Sequence, residues 1–227
     1  MHALILGAGL CLLSTAHAGA AAPCPPAQAP VQEVFISADC ADCWSAGEPS
    51  PGPQAKLGHW RLDWIHSGAA DAPLSAAALP ESAERLARRP GLAPPNPPAT
   101  QGATAALALK VESGPAWSGY LGVQMTLRLA AKRPNKPPTL APGSSAWLAM
   151  VERLPAGTDG SPMARELVRA VAGPLPLDSL KPGVPLSFLR AMRWPDTAQP
   201  LRLQARGWIE SPTGQVLLMA ADRCTAQ

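Results

Sequence analysis

Cys40 and Cys43 stand three positions apart at the end of an apolar run, Val34-Phe35-Ile36-Ser37-Ala38-Asp39-Cys40-Ala41-Asp42-Cys43-Trp44. A Cys-x-x-Cys pair just past a strand can close a small disulfide, exchange disulfides with a partner or hold a metal. Exchange needs a thiolate, and a thiolate needs a cation or a helix N-terminus beside it. A short helix after Asp39 offers part of that. Asp39 and Asp42 oppose it, because a carboxylate so close disfavours a second negative charge. In this chemistry Cys40 is the expected nucleophile and Cys43 the resolving cysteine. The competing reading is a structural disulfide, with Asp39 employed as the helix N-cap. A metal would draw on Cys40, Cys43, His59 and His66. The His59 to His66 gap is longer than a zinc-finger pair has, so neither a metal nor a cofactor is expected.

Other residues near the pair read as structure. Trp44, Trp60 and Trp64 would make an aromatic platform for a sugar or peptide, but tryptophan at strand spacing belongs to a core. Trp117, Trp147, Trp194 and Trp208 are assigned to the second half on the same ground. Glu33 reads as an edge carboxylate, with a buried proton relay as its sharper alternative. Asp63 is expected to partner Arg61 or a loop amide rather than to act as a general base. The sequence holds no serine nucleophile elbow, no His-Glu-x-x-His and no phosphate loop, which removes the common hydrolase and nucleotide classes. Charged residues make up 15 % and the net charge is +3, so no nucleic-acid partner is expected.

Residues 1–18 read as a signal peptide: Ala3 to Ala16 is apolar but too short to span a bilayer, and Ala16-His17-Ala18 is a small-x-small cleavage site. Cys11 would leave with it. Four cysteines then remain, Cys24, Cys40, Cys43 and Cys224, and four allow three pairings. The expected pairing is Cys40 with Cys43 and Cys24 with Cys224, in a periplasmic or secreted protein. No later run of apolar residues is long enough for a transmembrane segment in the mature chain.

The chain has 28 prolines, which argues for strands joined by Pro-rich connections rather than long helices. Residues 19–30 form a flexible leader. Val31 to Ser37 and His59 to His66 follow as strands; Trp60, Leu62, Trp64 and His66 share one face of the second, and Arg61, Asp63 and Ile65 the other. Ser75 to Arg89 suits a helix whose firm part starts at Glu81, after Pro80. Residues 90–103 are a Pro-rich linker. Residues 104–224 then carry seven strands with two-residue periodicity. The clearest runs from Leu121 to Leu129; in another, Leu201 to Glu210, Leu201, Leu203, Ala205 and Ile209 face one way and Arg202, Gln204, Arg206 and Glu210 the other.

The strand ending in Cys40-Ala41-Asp42-Cys43, the Leu62-Asp63-Trp64 strand and the helix near Leu79 to Arg89 resemble the exported bacterial DUF1223 family. Trp147-Leu148-Ala149-Met150-Val151-Glu152, Arg165-Glu166-Leu167-Val168-Arg169-Ala170 and Gly214-Gln215-Val216-Leu217 look similar to that family's second half. The resemblance implies an α+β protein: a truncated thioredoxin-like unit at residues 31–89, followed by a seven-stranded antiparallel β-sandwich. It implies thiol–disulfide exchange with a protein partner. The alternative is a non-catalytic module that binds an envelope component and uses its disulfides as scaffolding.

Overall fold

The computed structural model describes residues 25–46, 59–88, 106–131 and 140–223. The signal peptide, the Pro-rich linker, Cys11, Cys24 and Cys224 lie outside the described residues. Where the sequence alternates, strands form: β1 (Val31–Ser37), β2 (Trp60–His66), β3 (Leu107–Trp117), β4 (Tyr120–Leu129), β5 (Ser145–Leu154), β6 (Arg165–Pro176), β7 (Leu186–Arg193), β8 (Leu203–Glu210) and β9 (Val216–Ala221). Two short α-helices accompany them, α1 (Ala41–Ser45) and α2 (Glu81–Ala87), with a 3-10 turn at Ser75–Ala77.

The assembly of these elements corrects the expected fold class. The chain is mostly β, not α+β, and β1 and β2 do not make a thioredoxin-like unit. They are hydrogen-bonded into one six-stranded sheet with strands of the second half, in the order β1-β2-β6-β5-β8-β9. Nor is the second half a seven-stranded antiparallel sandwich, because β3-β4-β7 form a separate three-stranded sheet. β1 runs parallel to β2 in unbroken register from Val31 opposite Trp60 to Ser37 opposite His66, and β2 meets β6 in parallel at Asp63 and Leu167. The reason lies in the side chains. β1 and β2 put apolar residues on both faces, Val31, Phe35, Trp60, Leu62 and Trp64 on one and Val34, Ile36 and Ile65 on the other, and two strands with a five-residue and a seven-residue helix cannot cover both. Joining a larger sheet does.

The six-stranded sheet curls until its ends approach, and Met219 N–H of β9 donates to the carbonyl of Ala27 just ahead of β1. Its concave face encloses Val31, Trp60, Leu62, Trp64, Trp147, Ala149, Val151, Val168, Trp208 and Met219. Outside β5 and β8, Leu148, Met150, Leu203, Ala205 and Ile209 pack on Val111, Leu121, Val123, Met125 and Leu127 of the smaller sheet. Gly207 marks the closest approach of the two sheets: a Cβ there would sit 2.7 Å from Val111 Cγ2 and 3.1 Å from Met125 Sδ. Outside β1 and β2, Ile36, Ile65, Leu154 and Leu167 pack with Trp44 of α1 and Ala72. Trp117 departs from its expected core role. It is 77 % exposed, because it overhangs the sheet at the hairpin turn Ser118–Gly119 between β3 and β4.

Arg85 of α2 enters the concave face. Its guanidinium makes a two-pronged pair with Glu33 of β1, both bonds 2.9 Å, and a 2.6 Å bond to Glu210 of β8. It lies over the rings of Trp147 and Trp208, at 5.0 and 5.5 Å. Burial alone would lower the affinity of Arg85 for its proton, but the charges and hydrogen bonds of Glu33 and then Glu210 outweigh it and hold the proton more tightly than in water. Glu33 is therefore not an edge carboxylate but half of a buried ion pair.

Candidate functional site

β1 delivers the cysteines. After Ser37 the chain turns, with Cys40 N–H donating to Ser37 C=O at 3.0 Å, and α1 begins. Cys40 and Cys43 are joined as a disulfide with Cα atoms 5.2 Å apart. Cys40 itself is the N-cap, its Sγ accepting from Cys43 N–H at 3.2 Å. The N-cap role expected of Asp39 is thereby filled. The Asp39 carboxylate instead accepts from Ser37 Oγ at 3.2 Å and from Ala69 N–H at 3.0 Å. Cys40 is half-buried and Cys43 exposed, the reverse of what an attacking Cys40 and a resolving Cys43 require.

Trp44 fixes α1 to the sheet. Its indole N–H donates to Asp159 C=O at 2.7 Å, and the Arg165 guanidinium lies 4.5 Å from its ring centre. Arg165 also donates to Trp44 C=O at 2.8 Å, to Ser161 Oγ at 2.7 Å and to Asp63 Oδ1 at 3.1 Å. Asp63 is fully buried and accepts from Arg61 and from Glu166 N–H as well. The partnership of Asp63 with Arg61 is the one expected from the sequence. One carboxylate thus holds two guanidiniums beneath α1.

The four residues weighed as metal ligands do not converge. Cys40 and Cys43 are bonded to each other, and His59 and His66 flank opposite ends of β2. Trp44, Trp60 and Trp64 are buried, as core residues rather than an exposed platform. Sequence reasoning missed Arg85, Arg165 and Arg206. Their signal was a charge inside a strand otherwise apolar: Glu33 among Val31, Val34 and Phe35, Arg206 between Ala205 and Gly207, and Glu210 after Trp208 and Ile209.

No protein-family model matches the chain, and no curated protein sequence does. Among solved structures it is similar to HBP35 of Porphyromonas gingivalis, at 10 % identity over 90 % of this chain and 80 % of that one, with a TM-score of 0.46. Among the described residues, no helix is long and apolar enough to cross a membrane.

Proposed function

We propose that the chain is a non-catalytic binding or structural module of the cell envelope, exported to the periplasm or beyond, in which Cys40–Cys43 is a structural staple. The carrying observation is that the pair closes the turn that seats Trp44 between Asp159 and Arg165. Both cysteines are used in that turn: Cys40 Sγ caps α1, and Cys43 supplies the N–H it accepts. The hydrogen bond to the sulfurs is a backbone one, while Asp39 and Asp42 flank them, an environment that favours a disulfide over thiolates. Export is supported by the signal-like first 18 residues and by the bonded cysteines. The resemblance to the DUF1223 family rests on the strand and Cys-x-x-Cys signature.

The staple closes only a four-residue loop, worth about 2 kcal/mol in the chain-entropy model. Insulin reduction by the purified protein is expected to stay at background. Replacing both Cys40 and Cys43 by Ser should lower the stability by about that amount and loosen Trp44. Robust insulin reduction that Cys40→Ser or Cys43→Ser abolishes would overturn the reading.

One observation favours thiol–disulfide exchange as the second reading, namely the exposure of Cys43. A partner thiolate would attack Cys43 Sγ. The disulfide would break with its electron pair on Cys40 Sγ, where Cys43 N–H already points. A second partner thiol would then release Cys43 and leave the partner oxidised. On this route Cys43, not Cys40, carries the mixed disulfide.

A further inference from the structure

At the end of the curled sheet remote from α2, the starts of β2, β6 and β8 and the ends of β5 and β9 surround a pocket of about 540 Å³. Six arginines line it: Arg61, Arg153, Arg165, Arg202, Arg206 and Arg223. Glu166 is the one carboxylate among the lining residues, and His59 adds a titratable base. Three further carboxylates, Asp63, Asp159 and Asp222, pair with these arginines from behind or from the rim. Among the described residues, six guanidiniums thus meet four carboxylates around the pocket.

The arginines divide into a floor and a rim. Arg206 is buried and committed: it donates to both Glu166 oxygens at 2.8 and 2.6 Å, to Gln204 Oε1 at 3.0 Å and to Ala205 C=O at 3.0 Å. Arg165 is likewise committed to Asp63, Ser161 and Trp44. Arg206 is held by short ion-pair bonds to Glu166, and Arg165 by its 2.8 and 2.7 Å bonds to Trp44 C=O and Ser161 Oγ. Arg153 and Arg202 differ. Their side chains are 46 and 35 % exposed, and their carboxylate contacts, to Glu166 and Asp159, are 4.0 and 3.4 Å long. Those lengths exceed the roughly 2.7–2.9 Å of a charge-assisted hydrogen bond, so an anion can claim these donors without breaking a short ion pair. Arg202 sits beside Leu201, a leucine 95 % exposed at the pocket's edge, and Trp60, Leu154 and Pro155 supply further apolar wall.

We propose that this pocket binds a small organic anion with two or more oxyanion groups, carboxylate or phosphate, held by Arg153 and Arg202. Its apolar body lies against Trp60, Leu154 and Leu201. The concavity selects a small molecule over a nucleic-acid strand, and the volume matches ordinary ligand pockets of about 300–1,000 Å³. The site shares no sulfur with the Cys40–Cys43 turn, so the proposal stands whether that disulfide is structural or exchanges.

The test is calorimetric titration of the oxidised full-length protein, at low ionic strength, with citrate in one arm and inorganic pyrophosphate in the other. One-to-one binding in at least one arm is expected, weakened by added salt. Binding of citrate alone assigns carboxylates, of pyrophosphate alone phosphates, and of both a general oxyanion site. The double variant Arg153→Ala with Arg202→Ala should bind about tenfold or more weakly with an unchanged melting temperature. Should that variant misfold, Leu201→Asp, at a fully solvated position, adds a repelling charge and should weaken binding too. Absence of heat in both arms at millimolar probe, or binding that folded variants leave intact, overturns the proposal.

Discussion

Replacing Arg85 by Met tests the central ion pair of the concave face. Met keeps much of the aliphatic stem but removes three charge-assisted hydrogen bonds, two of 2.9 Å to Glu33 and one of 2.6 Å to Glu210. It also removes a cation stacked at 5.0 and 5.5 Å from Trp147 and Trp208. Two carboxylates are left in a cavity where Glu33 has no exposed surface. Removing one partner of a buried pair costs about 3–5 kcal/mol, because the charge left behind loses a counter-ion it was buried against. For a chain of this size that is a fall of about 6–20 °C in melting temperature. Urea unfolding followed by tryptophan fluorescence reads the change. Arg85 holds its proton above its unfolded value, so the stability it contributes is lost only at alkaline pH beyond the working range. In the variant the two carboxylates that shared Arg85 repel each other. Adding Glu33→Gln and Glu210→Gln to Arg85→Met should recover most of the loss. A single-variant cost below about 1 kcal/mol refutes the reasoning.

Three further outcomes follow from the same geometry. Gly207→Ala would place a methyl 2.7 Å from Val111 Cγ2, an overpacking cost of about 1–3 kcal/mol that Val111→Ala should partly relieve in a double-mutant cycle by urea unfolding. Asp63→Asn takes away the carboxylate that Arg61 and Arg165 share; a loss of about 3 kcal/mol or more is expected, with a changed near-ultraviolet signal as Trp44 loosens. Cys24 and Cys224 are expected from the cysteine count to form the second disulfide, and a non-reduced digest should yield that linked peptide rather than one joining Cys24 to Cys40.

The strands were legible and their partners were not. Leu121, Val123, Met125 and Leu127 alternate with polar residues, and each is fully buried where the period of two puts it. The same period placed Arg206 and Glu210 opposite Leu203, Ala205 and Ile209, which is correct, but it also gave Leu201 to the apolar face, and Leu201 lies in the 3-10 turn Pro200–Arg202 ahead of β8 and is 95 % exposed. It could not say that this second face is dry, because dryness comes from the curl of the sheet and not from the strand. The pairing of Asp63 with Leu167 joins residues far apart in the chain, and no local pattern encodes it. Reading β1 and β2 as a separate unit failed for that reason. At the cysteines, spacing revealed the bond but not which sulfur faces solvent, since that depends on how Trp44 docks on Asp159 and Arg165. The pocket arginines were visible singly, yet only strand order gathers Arg61, Arg153, Arg202 and Arg223 at one rim.

The buried arginines use one device three times, and its charge balance differs at the two ends of the sheet. Arg85 stacks on Trp147 and Trp208 between two glutamates, Arg165 lies on Trp44 beside Asp63, and Arg206 lies 6.0 Å from the Trp60 ring with Glu166. An indole face shields a guanidinium from water while tolerating its charge, so each pair holds a fixed geometry inside an apolar sheet. At the α2 end Arg85 is committed to Glu33 and Glu210, Arg88 also lies over the Trp147 ring, and the helix covers them. At the far end, among the described residues, arginines outnumber carboxylates and Arg153 and Arg202 reach solvent. A closed end with its guanidinium committed serves stability, whereas an open end with loosely held donors serves binding. The two roles should separate on substitution: Arg85→Met lowers the melting temperature and spares anion affinity, whereas Arg153→Ala with Arg202→Ala does the reverse. If both variants moved both measurements together, the pocket would be a mere by-product of the fold's own charge pairing.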